Sequence, residues 1–232
     1  FDMSDVRGWR DVARAANAAG ITIHMARVFG IMVEKHSENP ALAKMKYRVV
    51  YQGNNVVTQN FEVAFFQDLG SSPVSLEGGR CVISYGLFGD NVVEQADAEK
   101  AYIQALLEGP ETWVLLPEEA WPDSWKDENG NLKPHLPRRP VVRMLRALYG
   151  QPDSGTIWEK HSFQHLHSIG FQKVRNWPSV FWHPDWRVMM SVYVDDFLAS
   201  GERSALKKCW AAIREGLELE TPKELTNYLG AD

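Results

Sequence analysis

Residues 46–52 alternate with the period of a strand. Tyr47, Val49 and Tyr51 share one face, and Lys46, Arg48, Val50 and Gln52 share the other. Gly53-Asn54-Asn55 reads as a turn and Val56-Val57-Thr58 as a return strand, so the pattern predicts a hairpin over 44–58 that carries basic side chains. Nearer the start the period becomes helical. Val6, Trp9, Val12, Ala13 and Ala16 fall on one face, Ser4 offers a cap and Gly20 a stop, which predicts a helix from Ser4 to Ala19. Residues 76–87 read as a helix, 92–97 as a strand ending in an acid, and 98–107 as a helix or turn behind it. The proline-punctuated stretch 117–140 has little periodicity and reads as a long loop. After it, 141–148 is apolar with Arg143 and Arg146 interleaved, 150–155 is a turn, and 156–169 is a helix stopped by Gly170. Residues 188–199 form a β-ribbon interrupted by acids. Leu206, Cys209, Trp210, Ile213 and Leu217 mark an amphipathic helix. Strands and helices mix without βαβα regularity, which predicts an α+β fold.

Composition narrows the class. The chain has 232 residues, enough for one large domain or two subdomains. It is 44% hydrophobic and 24% charged, the balance of a globular protein. Two cysteines, Cys81 and Cys209, supply neither a disulfide framework nor zinc spacing, which suits a reducing compartment. No run of about 18 apolar residues predicts a membrane span. Phe1 opens the chain without a secretory pattern, so it reads as a piece of something longer.

The net charge of −5 argues mildly against a nucleic-acid partner. Its distribution changes the picture. Lys133, Arg138, Arg139, Arg143 and Arg146 stand without an acid in 131–150, giving +5. Seven acids against Lys126 give 108–128 a charge of −6. A basic stripe lies inside an acidic chain, and a solvated surface of patchy charge accounts for it as well.

The sharpest chemistry is in 191–199, where Asp195 and Asp196 stand between apolar, β-prone runs. Burying ionised carboxylates is costly, and a divalent cation is the natural compensation. A plain hairpin turn accounts for the same pair, because Asp is a turn residue. Asp97, at the end of a strand, is either a site residue or a helix cap. An Asp at a strand end followed later by an Asp-Asp hairpin is the arrangement of nucleic-acid polymerase palms.

The resemblance then becomes specific. Tyr193-Val194-Asp195-Asp196 resembles the Tyr-x-Asp-Asp box of reverse transcriptases. Residues 95–101 are similar to the copia-type stretch that reads Asp-Val-x-x-Ala-Phe from its catalytic Asp. Leu148-Tyr149-Gly150 followed by Trp158 resembles that family's Leu-Tyr-Gly … Trp block. Gly170-Phe171, then Trp177-Pro178-Ser179-Val180-Phe181, resembles its Gly-Phe … Asp-Pro-Ser-Leu-Phe. Tyr228-Leu229-Gly230 resembles the Tyr-Leu-Gly that closes the palm, and 46–53 the fingers strand Lys-x-Arg-Leu-Val-x-x-Gly. The blocks follow the family's order over 40–232, and residues 1–39 carry no usable motif. On these blocks the chain resembles copia-type (Pseudoviridae) retrotransposon reverse transcriptases.

The resemblance implies a right-hand polymerase palm, an antiparallel sheet with helices on one face, plus fingers, with the thumb absent. Fingers would be 1–90 and 108–150; palm would be 91–107 and 151–232. It implies an RNA-directed DNA polymerase that transfers a nucleotide from a dNTP to a primer 3′-hydroxyl using two Mg²⁺ ions, with Mn²⁺ as a substitute. Asp97 and Asp195 would be direct ligands, Asp196 a supporting ligand, and the Ala98 carbonyl would complete a shell. Tyr102 would pack under the incoming sugar and exclude a 2′-hydroxyl, where an ordinary half-buried aromatic is the other reading. Lys46 and Arg48 would neutralise triphosphate charge, or merely line a solvated strand face. Asp153 would face the nucleotide. Tyr193, Val194, Tyr228, Leu229 and Gly230 would contact primer and template. The expected partners are an RNA or DNA template with primer, a dNTP, and a larger polyprotein with integrase and RNase H, but no membrane. The expected place is intracellular, in a cytoplasmic virus-like particle or the nucleus.

The chain departs from the family where charge matters. Asp153 replaces the usual Gln, Gly155 the usual Pro, Gln52 a frequent Lys, and Glu99 another frequent Lys. Each change except that at Gly155 removes positive charge or adds negative charge near a triphosphate. A catalytically decayed nucleic-acid-binding remnant is therefore the alternative, and a metal-dependent phosphohydrolase using the same carboxylates a third. His161 and His165 have helical zinc spacing with no Glu or Cys beside them, which favours a surface helix. Gly78-Gly79 lacks the Lys-Ser/Thr of a phosphate loop. Most of the nine tryptophans are expected in the core.

Overall fold

Gly20 ends the first helix in a left-handed conformation (φ 66°), and similar local signals divide the rest of the chain. A computed structural model describes residues 1–35, 37–41, 43–66 and 72–226. The elements of the first half are β1 (Asp2–Gly8), α1 (Trp9–Ala19), β2 (Ile23–Lys35), β3 (Lys44–Tyr51), β4 (Val57–Thr58), α2 (Leu76–Tyr85), β5 (Asn91–Asp97), α3 (Ala101–Gln104) and β6 (Glu111–Leu115). Those of the second are β7 (Pro140–Arg143), α4 (Ser154–Ser168), β8 (Gln172–Lys173), β9 (Val180–His183), β10 (Val188–Tyr193), β11 (Asp196–Glu202), α5 (Arg203–Arg214) and β12 (Lys223–Glu224). The fold is mixed α+β. No helix among the described residues is long and apolar enough to cross a membrane.

The chain passes twice through each of two units. The first comprises Phe1–Leu69 and Leu106–Ser154; the second comprises Gly70–Ala105 and Gly155–Asp232. The segment 1–90 spans both units, since α2 in the second unit packs on β9 and β11 through Val82, Val180 and Leu198.

In the first unit the sheet order is β1-β7-β6-β2-β3, with β4 also on β2. β2 and β6 run parallel, and the other pairs are antiparallel. The core gathers Val12, Ala16, Ile23, Trp113 and Val141. Two expectations fail here. The first helix begins at Trp9, not Ser4, because β7 recruits the preceding residues as a strand (Val6 opposite Val142). The Ser4 hydroxyl donates to Asp2 Oδ1 (2.6 Å) instead of capping a helix. The hairpin over 44–58 also fails. The long β2, which the pattern reading passed over, pairs with β3 along 28–35 and with β4 at His24 and Met25. The β2–β3 hairpin keeps the basic face: Lys35, Lys44, Lys46 and Arg48 alternate with Phe29, Ile31 and Val33 on one side.

In the second unit the sheet order is β12-β5-β11-β10-β9-β8, antiparallel throughout. Phe197, Leu198 and Ala199 are all fully buried although successive strand residues point to opposite faces. Both faces must therefore be covered. On one, the Ser200 hydroxyl donates to the Val82 carbonyl of α2 (2.6 Å). On the other, the Trp210 indole of α5 donates to Glu94 (2.8 Å), and Phe163 of α4 meets Phe181 edge-on with centroids 4.7 Å apart. The expectation of helices on one face is corrected: an apolar central strand on both sides demands two layers of cover.

Candidate active site

The antiparallel register of β5 and β11 sets Asp97 opposite Asp196, at the ends of both strands. β10 and β11 are joined by a two-residue turn, with Tyr193 opposite Asp196 and Val194-Asp195 between them. Three carboxylates thus collect at one end of the sheet, all half-buried. Asp97 and Asp196 share a side-chain hydrogen bond. Burial, then the charges of Asp195 and Asp97, push the Asp196 carboxyl up from 3.8 to about 6. Only Lys223 of β12 pulls the other way.

The turn is strained and doubly held. Val194 has φ 56°, a left-handed conformation that costs an L-residue about 1–2 kcal/mol and is unusual for a β-branched one. Both of its carbonyls are engaged. The Val194 carbonyl accepts from the buried Trp158 indole (2.7 Å), and the Asp195 carbonyl accepts from the Ala98 N–H (2.7 Å). Strain that persists under such bonds is a mark of functional sites. The segment behind Asp97 is clasped to 218–220: Glu220 N–H donates to the Asp97 carbonyl (2.9 Å) and Glu99 N–H to the Glu218 carbonyl (2.9 Å). The Gln104 amide donates to the Glu99 and Glu218 carbonyls (2.7 and 2.9 Å).

This clasp places Tyr102 near Asp195. The phenol is pushed up, first by burial and then by the Asp195 charge. Tyr193 is exposed at the rim. Asp97, Ala98, Tyr102, Tyr193, Val194, Asp195 and Asp196 are therefore brought together in the second unit. Asp97 caps no helix: it closes β5, and Lys100, not Asp97, precedes α3.

Lys46, Arg48 and Asp153 belong to the first unit. Lys46 and Arg48 lie on the exposed part of β3, opposite Val33 and Ile31. Asp153 is half-buried, and its carboxylate accepts from the Gln151 amide (2.7 Å). Its charge reaches inward: it raises the phenol of buried Tyr51, after burial itself, and partly offsets the burial that lowers His24. Tyr228, Leu229 and Gly230 lie outside the described residues.

Sequence reasoning missed Trp158 as a partner of the turn, Gln104 as the clasp and Gln151 as the partner of Asp153. Trp158 and the turn both stood in recognised blocks, but no spacing reveals a bond between them. His165 Nε2 lies 2.9 Å from the Ile213 carbonyl at the end of α5.

The donor set suits a hard divalent cation in kind, since Asp97, Asp195 and Asp196 offer only oxygens and their charges oppose one another. It is not a finished cage. Among the described residues no group of three or more His, Cys, Asp or Glu is set to hold a metal ion. The Asp97–Asp196 hydrogen bond occupies oxygens that a cation would take, so below about pH 6 binding has to displace that proton. A comparison with protein-family models finds none that matches this chain.

Proposed function

We propose that the chain carries the nucleotidyl-transfer site of a copia-type reverse transcriptase, an RNA-directed DNA polymerase. One observation carries the reading: Asp97, Asp195 and Asp196, distant in sequence, converge at the end of one antiparallel sheet, where their mutual repulsion is poorly compensated. Such a cluster asks for a cation, and two-metal phosphoryl transfer uses carboxylates in this way. The right-hand palm and fingers belong to this proposal as well.

Bound Mg²⁺ would supply Lewis-acid charge to the attacking hydroxyl and the triphosphate. Asp97 and Asp195 would hold it, with Asp196 supporting them after losing its proton. Tyr102 would pack under the deoxyribose, where a 2′-hydroxyl has no room. Tyr193 and Val194 would meet the primer end. In the first unit, Lys46 and Arg48 would offer positive charge to phosphates. The primer 3′-hydroxyl would give its proton to solvent, its oxygen would bond to the α-phosphorus, the α–β bridging P–O bond would break, and pyrophosphate would leave. The protein's part is placement and charge, not covalent chemistry.

The closed Asp97–Asp196 pair favours a second reading, a remnant that binds nucleic acid without turnover. Primer extension on an RNA template with Mg²⁺ and dNTPs separates the two. Extension by wild type and none by Asp195→Asn supports the polymerase. Binding of template-primer without extension supports the remnant. Phosphate release from nucleotides without primer would instead indicate a phosphohydrolase.

A further inference from the structure

We propose that Trp158 is a positioning residue whose indole N–H fixes the turn that presents Asp195 and Asp196 to Asp97; the proposal rests on reading these carboxylates as metal ligands. The bond from Trp158 Nε1 to the Val194 carbonyl is 2.7 Å long, and the ring is only 2% exposed. That carbonyl belongs to the peptide linking Val194 to Asp195. Rotation of this peptide swings the Asp195 side chain, so the group that holds the carbonyl sets the direction of the carboxylate. The following peptide is held by Ala98 N–H. Helix α4 and the residue just past β5 thus fix the two peptides of the turn separately.

Packing does not do this instead. A small cavity of about 20 Å³ lies beside the turn, lined by Trp158, Val192, Val194, Gly155 and Phe163 among others. Val194 is only half-buried, so packing closes on one side of it alone, and its left-handed backbone favours relaxation. The hydrogen bond is what opposes it. Other indoles serve elsewhere: Trp113 donates to Glu111, Trp121 to the Leu116 carbonyl and Trp210 to Glu94.

The test compares wild type with Trp158→Phe, which keeps a ring and removes the donor, and with Trp182→Phe on β9 as a control. Mn²⁺ affinity, read by the paramagnetic resonance of the free ion, should fall about 10-fold or more in Trp158→Phe, as when a group orienting a metal ligand is lost. It should stay at the wild-type value in Trp182→Phe. In primer extension, kcat should fall while KM for dNTP holds. The Ala98 amide should exchange with solvent about 10-fold faster in Trp158→Phe, while the Phe197 and Ala199 amides keep their protection. Unchanged Mn²⁺ affinity together with unchanged Ala98 exchange overturns the proposal. If wild type binds no Mn²⁺, the metal reading fails by itself, and Ala98 exchange alone decides for or against the turn-holding role. If Trp158→Phe does not fold, the wild-type indole resonances decide. A slowly exchanging Trp158 Nε1–H that Mn²⁺ broadens supports the proposal, and one that exchanges like an exposed indole overturns it.

Discussion

Asp97 and Asp196 face each other across β5 and β11, and a hydrogen bond joins their carboxyl groups. Two acids in such contact share a proton at low pH, and it leaves as pH rises through about 6 or when a cation replaces it. The protein should therefore gain from protonation what a metal-bound form gains from the metal.

This gives the pH dependence a definite sign. The Asp196 carboxyl is raised in the fold, from 3.8 to about 6, so the folded state binds its proton more tightly than the unfolded chain. Its contribution is absent as a penalty below pH 4 and grows as pH rises through 6. Without divalent cations, stability should fall over that window by on the order of 2 kcal/mol. Melting curves in chelator at pH 4 to 8 measure it. Asp196→Asn should flatten the curve and raise the melting temperature at pH 8. Mg²⁺ should stabilise the wild type far more at pH 8 than at pH 5. A wild-type curve that matches Asp196→Asn at all pH values would contradict the assignment.

Gly150 has φ 84°, and a Cβ there would run into the Tyr51 carbonyl, close to where Tyr51 N–H donates to the Tyr149 carbonyl (2.7 Å). Gly150→Ala should cost about 1–3 kcal/mol through backbone strain, with the clash added. Gly130→Ala, at φ 80° in open space, should cost about 1–2 kcal/mol. Urea titration of both variants compares the two; equal losses would show that the close approach to Tyr51 does not matter.

Tyr102 lies close enough to Asp195 for that charge to raise its phenol. On the polymerase reading, Tyr102→Ala removes the ring beneath the sugar. The ratio of kcat/KM for dNTP over rNTP should drop about 10-fold or more, since losing a steric block is worth more than one methylene contact. Competing incorporation of the two nucleotides measures it, and an unchanged ratio would return Tyr102 to the role of a packing residue.

Asp153 holds its negative charge among Gln151, Tyr51 and His24. Asp153→Gln removes that charge and puts a neutral amide in its place. The Tyr51 phenol should then titrate at lower pH. Ultraviolet difference titration follows it, and an unshifted phenol would mean that the Asp153 charge does not reach Tyr51.

Much of the second unit was legible in the sequence. The helix at 76–87, the strand ending at Asp97, the ribbon around Asp195-Asp196 and the helix bearing Leu206, Cys209, Trp210 and Ile213 all stand within a few residues of expectation. Each is written in a strong local period. The first unit was less legible because its pairings are long-range. Ser4 lost its helix to a strand partner more than a hundred residues away, and Thr58 lost its hairpin to β2. The clustering of the three carboxylates follows from the Asp196–Asp97 register, which neither strand specifies alone. The Trp158 bond was invisible for the same reason, since it joins α4 to a turn 36 residues later.

The most direct measurement follows elongation of a primer on an RNA template and release of pyrophosphate in the same Mg²⁺-containing reaction, for wild type, Asp97→Asn and Asp195→Asn. The account predicts one pyrophosphate for each template-directed nucleotide added by wild type, and neither product from the variants. Elongation that survives in Asp195→Asn, or nucleotide breakdown that needs no primer, would contradict it.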